Sequence, residues 1–315
     1  PPLLDDIYGQ EQAKRALIIA AAGRHNILFT GSPGAGKTML AKALANLLPP
    51  LSNDEIVATT KLHSLAGEVV EKSITKRPFR APHHTASRIA LTGGGTNASP
   101  GEISLAHLGV LFLDEIPEYP RATLEILRQP LEDKHITISR ARGHSIYPAD
   151  FMLVATMNPC PCGYYGDTER ECSCSSTQIL SYQKRLSGPL LDRIDMVIPV
   201  SKVPNESLLE VKSSSKEQQE DARVMIKRAV NMQRDRYESS VCYNSSLQSP
   251  DVTKHITLSP DVRGLLKIAA EKLKLSARGY FKVIKVARTI ADLEGSPNIT
   301  KAHLTEALQY RQPTT

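Results

Sequence analysis

The octet Gly31-Ser32-Pro33-Gly34-Ala35-Gly36-Lys37-Thr38 stands between a short apolar stretch, His25–Thr30, and an apolar run, Met39–Leu48, that ends before two prolines. The octet matches the phosphate-binding pattern G-x-x-x-x-G-K-S/T, in which a strand precedes the glycine-rich turn and a helix follows it. Backbone N–H groups at the helix start point at the phosphates, and the helix dipole favours negative charge there. We therefore predict a nucleoside triphosphate site, with Lys37 at the β- and γ-phosphates and the Thr38 hydroxyl on Mg²⁺.

A second apolar run, Gly109–Leu113, shows no alternation and ends in Asp114-Glu115. Such a run is typical of a central strand in a parallel sheet. A phosphate-binding loop needs an acidic partner, so we expect Asp114 to hold Mg²⁺ and Glu115 to polarise the attacking water. Asn158 follows the next buried run, Phe151–Thr156, where its amide would orient that water and contact the γ-phosphate. The alternative for Asn158 is an ordinary turn residue before proline.

The element order predicts an α/β fold, with a parallel sheet flanked by helices over residues 1–200 and a helical lid over 201–315. Asp5 or Asp6 is expected to cap the first helix. Further helices are expected near 121–131, 217–238, 260–273, 277–293 and 300–310. The remaining expected features are an insertion at about 62–100, a β-hairpin at 134–148, a cysteine loop at 160–174 and a polar loop near 240–257.

Composition limits the functional class only weakly. The chain has 315 residues, is 41% hydrophobic and carries a net charge of +6, which is compatible with nucleic acid without being diagnostic of it. No apolar stretch approaches the ~18 residues that a membrane span needs. No signal peptide is visible, so we expect a cytoplasmic protein without a membrane partner. The start at Pro1-Pro2 rather than Met suggests part of a longer protein.

Four of the five cysteines form two C-x-C pairs, Cys160 with Cys162 and Cys172 with Cys174. Four thiolates can close a tetrahedral Zn²⁺ site. The spacing is tighter than that of the usual C-x₂-C pair, so reduced thiols in a loop are the alternative. Cys242 stands alone.

Two arginines are candidates for contact with a nucleotide. Arg193, in Leu190–Asp195, could complete a neighbouring subunit's site in trans; a surface ion pair with Asp192 or Asp195 is the alternative. Arg278, at the start of a lid helix, could contact the γ-phosphate and couple nucleotide state to the lid. The alternatives there are a helix-surface arginine, or Arg288 in that role.

The expected hairpin carries a small basic cluster, with Lys134 at its start and Arg140 and Arg142 at its tip. On a phosphate backbone, such a cluster would give salt-dependent and sequence-independent affinity. An ordinary solvated hairpin tip is an equally good interpretation of these charges alone.

The order of these motifs resembles that of AAA+ ATPases of the magnesium-chelatase ATPase-subunit-like group. Within that group the chain is most similar to the ComM-like competence proteins, over essentially all of its length. The segments that carry the resemblance are Arg80–Ser87, Pro100–His107, Leu127–Glu132, Met157–Gly163 and Leu186–Asp195.

The resemblance implies an ATP- and Mg²⁺-dependent core with a helical lid, assembled as a homo-oligomeric ring, usually a hexamer. It implies Walker A at Gly31–Thr38, Walker B at Asp114 and Glu115, and sensor 1 at Asn158. Arg193 would be the arginine finger and Arg278 sensor 2. The hairpin would face the pore and grip DNA. Full-length relatives carry a further N-terminal domain.

For function, the resemblance implies a DNA branch-migration helicase of natural transformation, acting on single-stranded or branched DNA. A chelatase-type ATPase that remodels a partner protein is the alternative. A third, a nucleotide-switched scaffold with little turnover, fits poorly with an intact Asp114, Glu115 and Asn158.

Overall fold

The computed structural model describes residues 1–68, 72–140, 143–203 and 216–311, with only the backbone of Arg140 at the end of the second range. The chain divides into two compact units. We call Leu28–Ala41 with Pro50–Arg193 the sheet unit. We call Pro1–Ile27, Lys42–Pro49 and Ile194–Thr315 the helical unit. The expected division at residue 200 stays a prediction.

The strands of the described chain are short. They are β1 (Ile27–Thr30), β2 (Phe79–Arg80), β3 (Gly93–Gly94), β4 (Ser99–Pro100), β5 (Val110–Leu113), β6 (His135–Arg140), β7 (Gly143–Pro148), β8 (Met152–Met157) and β9 (Met196–Pro199). The main sheet has the order β2-β5-β8-β1-β9. Its neighbours β2 and β5, and β5 and β8, run parallel. The predicted α/β fold is thus confirmed, and the two unbroken apolar runs are its central strands.

The register of the main sheet decides which side chains meet at its carboxyl edge. Val110 lies opposite Met152, and Leu113 lies opposite Ala155. All residues of β5 and β8 are buried. Because the strands are parallel and in this register, Asp114, which follows β5, comes level with Thr156 near the end of β8, and Asn158 follows at the same edge.

Helices of the sheet unit flank this sheet. They are α2 (Lys37–Leu47, whose last turns belong to the helical unit), α3 (Asn53–Leu65), α4 (Arg88–Thr92), α5 (Glu102–Leu105), α6 (Arg121–Ile126), α7 (Arg128–Asp133), α8 (Ser176–Gln183) and α9 (Gly188–Leu191). The single helix expected near 121–131 is two helices that meet at Leu127. Pro130 has no N–H to donate to the carbonyl of Ile126, four residues back, and this missing hydrogen bond explains the break at Leu127.

The predicted hairpin is confirmed as the antiparallel pair β6 and β7, in which His135 lies opposite Pro148 and Thr137 opposite Ile146. Ile136 is buried, while the side chains of β7 are exposed or half-buried. The hairpin therefore has one face on the protein and one face in solvent.

The helical unit contains α1 (Glu11–Gly23), α10 (Glu217–Tyr237), α11 (Ser249–His255), α12 (Pro260–Lys272), α13 (Ala277–Leu293) and α14 (Lys301–Gln309), so the expected lid helices are confirmed. Helices α1, α10, α13 and α14 pack on one another. A buried polar cluster lies among them: Asp292 accepts hydrogen bonds from Arg236 and Asn244, and Thr289 contacts Asn244 and His25.

Two local expectations for this unit were wrong. Asp5 and Asp6 do not cap α1; the Asp5 carboxylate instead accepts hydrogen bonds from the backbone N–H groups of Gln218 and Gln219, at the start of α10. The expected polar loop near 240–257 holds a 3₁₀ turn and α11. Proline in the first turn favours a helix start, and Pro250 occupies that place in α11. Within the described residues, no helix is both long and apolar enough to cross a membrane.

Candidate nucleotide site

The octet forms the turn between β1 and α2, as predicted. Gly34 and Gly36 adopt φ of +79° and +90°, a region that glycine tolerates best. A Cβ atom at either position would meet nothing within 4 Å, so the described protein leaves space over the loop. Helix α2 starts at Lys37, which puts its unbonded N–H groups at that space.

Lys37 folds back onto its own loop. Its Nζ donates to the carbonyl oxygens of Gly31 at 2.6 Å and Ser32 at 2.9 Å, and to Oδ1 of Asn158 at 3.1 Å. Burial lowers the pKa of Lys37, while the charges of Asp114 and Glu115 act in the opposite direction.

The acidic pair is ordered by a threonine from the neighbouring strand. The Thr156 hydroxyl donates to Oδ1 of Asp114 at 2.6 Å and accepts the backbone N–H of Glu115 at 2.9 Å. Thr156 is fully buried. The sequence analysis missed this role, because a polar residue within an apolar strand gives no sign of what it faces. Its place at the end of β8, beside the acidic strand end, is the signal that could have revealed it.

Glu115 has an unusual backbone, with φ of +51°. A residue with a Cβ rarely adopts this left-handed conformation, which costs on the order of 1–3 kcal/mol and is found mostly at functional sites. Its Oε1 accepts from Nδ2 of Asn158 at 3.5 Å. The structure thus brings together Lys37, Asp114, Glu115 and Asn158 at the carboxyl edge of the sheet.

Arg193 is held elsewhere in the sheet unit. Its guanidinium donates to the carbonyl of Pro189 at 2.6 Å and to the Glu132 carboxylate at 2.5 Å. Arg193 therefore forms an ion pair with Glu132, which is distant in sequence. Asp195 has its Oδ2 3.5 Å from Nδ1 of His25, in the helical unit.

Arg278 and its competitor Arg288 differ sharply in environment. Arg278 is exposed in the first turn of α13, which Ser276 caps through the N–H of Gly279. Arg288 is only 3% exposed, and it donates to Asp292 and to the carbonyls of Ser296 and Pro297. Arg288 is committed to the interior, so Arg278 remains the candidate for a nucleotide contact.

The four cysteines Cys160, Cys162, Cys172 and Cys174 converge, with all Sγ atoms within 4.8 Å of one another. Tetrahedral Zn²⁺ with bonds of about 2.3 Å requires sulfurs about 3.8 Å apart. The Sγ atoms of Cys160, Cys162 and Cys172 are 3.3, 3.7 and 3.6 Å apart in pairs. The thiol set therefore fits a zinc site in both donor type and spacing.

Backbone N–H groups also point at these sulfurs. Cys160 accepts from Tyr165 at 3.3 Å, and Cys174 accepts from Cys162 at 3.4 Å. A hydrogen bond from the backbone of Tyr164 lowers the pKa of the Cys162 thiol to about 6. The pKa of Cys172 is raised to about 12, against a backbone hydrogen bond from Cys174, because burial and the adjacent thiols disfavour a second negative charge. Four thiolates this close need a cation to neutralise them.

The basic residues of the hairpin are only partly described. Lys134 ends α7 in the left-handed conformation, with its ammonium 3.4 Å from the Asp150 carboxylate. The side chain of Arg140 and all of Arg142 lie outside the described residues. The proposed DNA contacts of these residues therefore stay predictions.

A glycine-rich turn before a helix, an acidic strand end and a polar residue on the adjacent strand of a parallel sheet are the marks of P-loop nucleoside triphosphatases, the class that includes the AAA+ ATPases. Residues 3–208 match the family model for magnesium chelatase, subunit ChlI, and residues 216–311 match the model for the ChlI C-terminal region. The chain therefore belongs to the magnesium chelatase ChlI family.

Relatives within the family divide into near and distant ones. The chain is 47% identical over 309 residues to competence protein ComM of Haemophilus influenzae and 45% identical over 313 residues to YifB of Escherichia coli. Each match covers 98% of this chain and 60% of the relative, so the chain spans about 60% of the length of these proteins. The magnesium-chelatase 67 kDa subunit of Chlorobaculum parvum is 26% identical over 156 residues, covering 49% of this chain and 23% of that subunit.

Proposed function

We propose that this chain hydrolyses ATP as a subunit of a homo-oligomeric ring, a hexamer, and that the ring moves DNA. The proposal of hydrolysis is supported by two contacts at one edge of the sheet. Lys37 contacts Asn158 there, and Asp114 contacts Thr156. In this proposal Lys37, Asp114, Glu115 and Asn158 act together at that edge.

In this proposal the octet Gly31–Thr38 cradles the phosphates, and Lys37 neutralises their developing charge. Mg²⁺ would be held by Thr38 and Asp114 and would offset charge on the β- and γ-phosphates. Glu115 accepts a proton from the attacking water, and Asn158 orients that water. The water oxygen bonds to the γ-phosphorus as the bond from that phosphorus to the β–γ bridging oxygen breaks, and the products are ADP and phosphate.

Two arginines complete the proposed site from outside this group. Arg193 would leave Glu132 to reach the nucleotide of the adjacent subunit, where a guanidinium stabilises the transition state. Arg278 would contact the γ-phosphate and report nucleotide state to the helical unit. The working site would then be shared between two copies of the chain.

The DNA substrate rests on two observations. The first is similarity to a protein named for competence. The second is the basic residues of the hairpin, Lys134, Arg140 and Arg142. We infer a helicase that moves single-stranded or branched DNA by branch migration during natural transformation.

We also propose that Cys160, Cys162, Cys172 and Cys174 bind Zn²⁺. We also propose that the protein works in the cytoplasm, because cysteines that bind a metal rather than form disulfides are typical of a reducing compartment.

The second candidate function is remodelling of a partner protein. It is favoured by the match to the magnesium chelatase family models and to a magnesium-chelatase subunit. The ATPase motor would be the same, with a protein rather than DNA as its cargo.

Turnover with and without DNA separates the two. We expect branched or single-stranded DNA to raise the ATPase rate several-fold, measured by phosphate release at fixed salt. Glu115→Gln, measured in parallel, controls for a contaminating ATPase. An ATPase rate that DNA leaves unchanged would favour the partner-remodelling function instead.

A further inference from the structure

The cysteine loop begins at the nucleotide site itself. Cys160 lies two residues after Asn158, and its side chain is fully buried. The chain then turns, with the N–H of Gly163 donating to the carbonyl of Cys160 at 3.0 Å. The loop therefore starts beside the residue that contacts Lys37, with only Pro159 between the two.

Gly163 packs directly on the phosphate-binding loop. A Cβ atom built on Gly163 would lie 2.7 Å from both Cδ and Cγ of Pro33, and 3.9 Å from Cγ of Asn158. No real Cβ contact is that short, so the Gly163 backbone rests on the Pro33 ring with no space for a side chain. The cysteine loop thus supports the phosphate-binding loop from one side.

Gly166, three residues further on, has the same backbone requirement without this contact. The φ angles are +88° at Gly163 and +76° at Gly166. A Cβ on Gly166 would meet nothing within 4 Å. The two glycines therefore form a matched pair, equal in backbone strain and different in what a methyl group would touch.

The helix that follows the loop returns to the start of the loop. Cys174 is followed at once by Ser175, which caps α8. At the end of α8, Nε2 of Gln183 donates to the carbonyl of Pro159 at 3.2 Å. The start of the loop is thereby fixed beside Asn158, and within the loop the four sulfurs converge while Arg170 bonds Tyr164 and Asp167.

We propose that the four-cysteine loop is a metal-held brace for the phosphate-binding loop, so that Zn²⁺ at Cys160, Cys162, Cys172 and Cys174 sets nucleotide affinity through Gly163 and Pro33. This proposal rests on the proposed functions of the octet and of the thiols. A structural metal orders the segment that holds its ligands, and its binding energy becomes the stability of that segment. Loss of the metal would release Gly163 from Pro33 and let the octet adopt conformations that bind phosphate poorly.

The matched glycines test the brace in the full chain. Dissociation constants for a fluorescent ADP analogue are measured by titration, and zinc content by elemental analysis. We expect Gly163→Ala to weaken binding about tenfold or more, and Gly166→Ala to change it less than about twofold, because only the first displaces Pro33. Both variants should keep the zinc content of the unmodified chain.

A double-mutant cycle separates the contact from general damage. Pro33→Ala removes the ring that the new methyl group meets, so Gly163→Ala should weaken binding much less in the Pro33→Ala background than in the unmodified chain. Coupling between the two changes identifies a direct contact. Circular dichroism checks that each variant is folded.

Metal removal gives an independent readout. Treatment of the unmodified chain with a thiol-compatible chelator should weaken ADP-analogue binding by a similar factor, and added Zn²⁺ should restore it. Equal affinity for Gly163→Ala and the unmodified chain, equal loss in both glycine variants, or unchanged affinity after zinc removal would each overturn the brace. An unmodified chain that binds zinc but no nucleotide would overturn the proposed function of the octet instead.

Discussion

The carboxyl edge of the sheet and the β6–β7 hairpin are built in opposite ways. At the sheet edge, Lys37, Asp114, Thr156 and Asn158 are each held by a hydrogen bond to another polar group of the site. On the hairpin, the side chains of β7 are exposed or half-buried, and Lys134 has one partner at its surface. Chemistry that depends on geometry is placed in a preorganised region. Attraction to a charged polymer needs only the charge, because it acts at long range and tolerates motion.

The largest effect should come from a residue outside the ordered edge. Arg193→Ala is expected to reduce ring-dependent ATP hydrolysis about 1,000-fold, since an arginine finger contributes 10³–10⁵ in rate. Steady-state phosphate release measures it. Arg185→Ala is the matched control, because Arg185 lies eight residues before Arg193 and likewise forms an ion pair with a glutamate, Glu118. Rings mixed from Arg193→Ala and Glu115→Gln subunits should regain some activity, and failure to do so would contradict a role in trans.

Within the ordered edge, Glu115→Gln should lower hydrolysis about 100-fold or more through loss of the general base, while nucleotide binding stays intact. Single-turnover hydrolysis and nucleotide titration separate the two quantities. Glu118→Gln, which changes a nearby exposed carboxylate, should leave both unchanged. Near-normal turnover of Glu115→Gln would remove Glu115 from its proposed role.

On the hairpin, Arg140→Ala combined with Arg142→Ala should weaken DNA binding about tenfold at moderate salt. It should also reduce the slope of log affinity against log salt by about 2, at roughly 0.9 per phosphate contact. Basal ATPase activity should not change. Arg223→Ala with Lys227→Ala, on α10, removes the same charge elsewhere. DNA affinity unaltered across the salt titration would exclude the hairpin from the DNA path.

The smallest effect tests whether the order at the sheet edge matters. Thr156→Val keeps the shape of the side chain but removes the hydroxyl between Asp114 and the Glu115 N–H. We expect about a tenfold loss of hydrolysis, because a hydrogen bond to a charged group contributes roughly 1.5–3 kcal/mol. Thr156→Ser keeps the hydroxyl and should retain most of the activity. Equal rates for the two variants would show that this hydroxyl does not position the acidic pair.

The part of the fold that local pattern determines could be predicted from the sequence. Apolar runs without alternation identified β5 and β8, the glycine spacing identified the octet, and helical periodicity identified α10 and α13. Each of these signals lies within about 20 residues of chain, where period and propensity act directly.

Contacts between distant residues could not be predicted in this way. Asp5 caps a helix that begins at Glu217, Arg193 pairs with Glu132, and Gly163 rests on Pro33. A side chain that can cap, pair or pack gives no sign in one sequence of which distant group it will meet. The role of Thr156 was hidden for the same reason, since it depends on the strand beside β8.

The left-handed backbone of Glu115 has a consequence for the evolution of this chain. Glycine would relax the conformation there, and replacing a strained residue by glycine can stabilise a fold at such a position. Selection for stability alone would therefore favour loss of the carboxylate. A screen for thermostable variants of this chain should recover substitutions at residue 115 that are more heat-resistant and catalytically dead, because stability and turnover make opposite demands at this one residue.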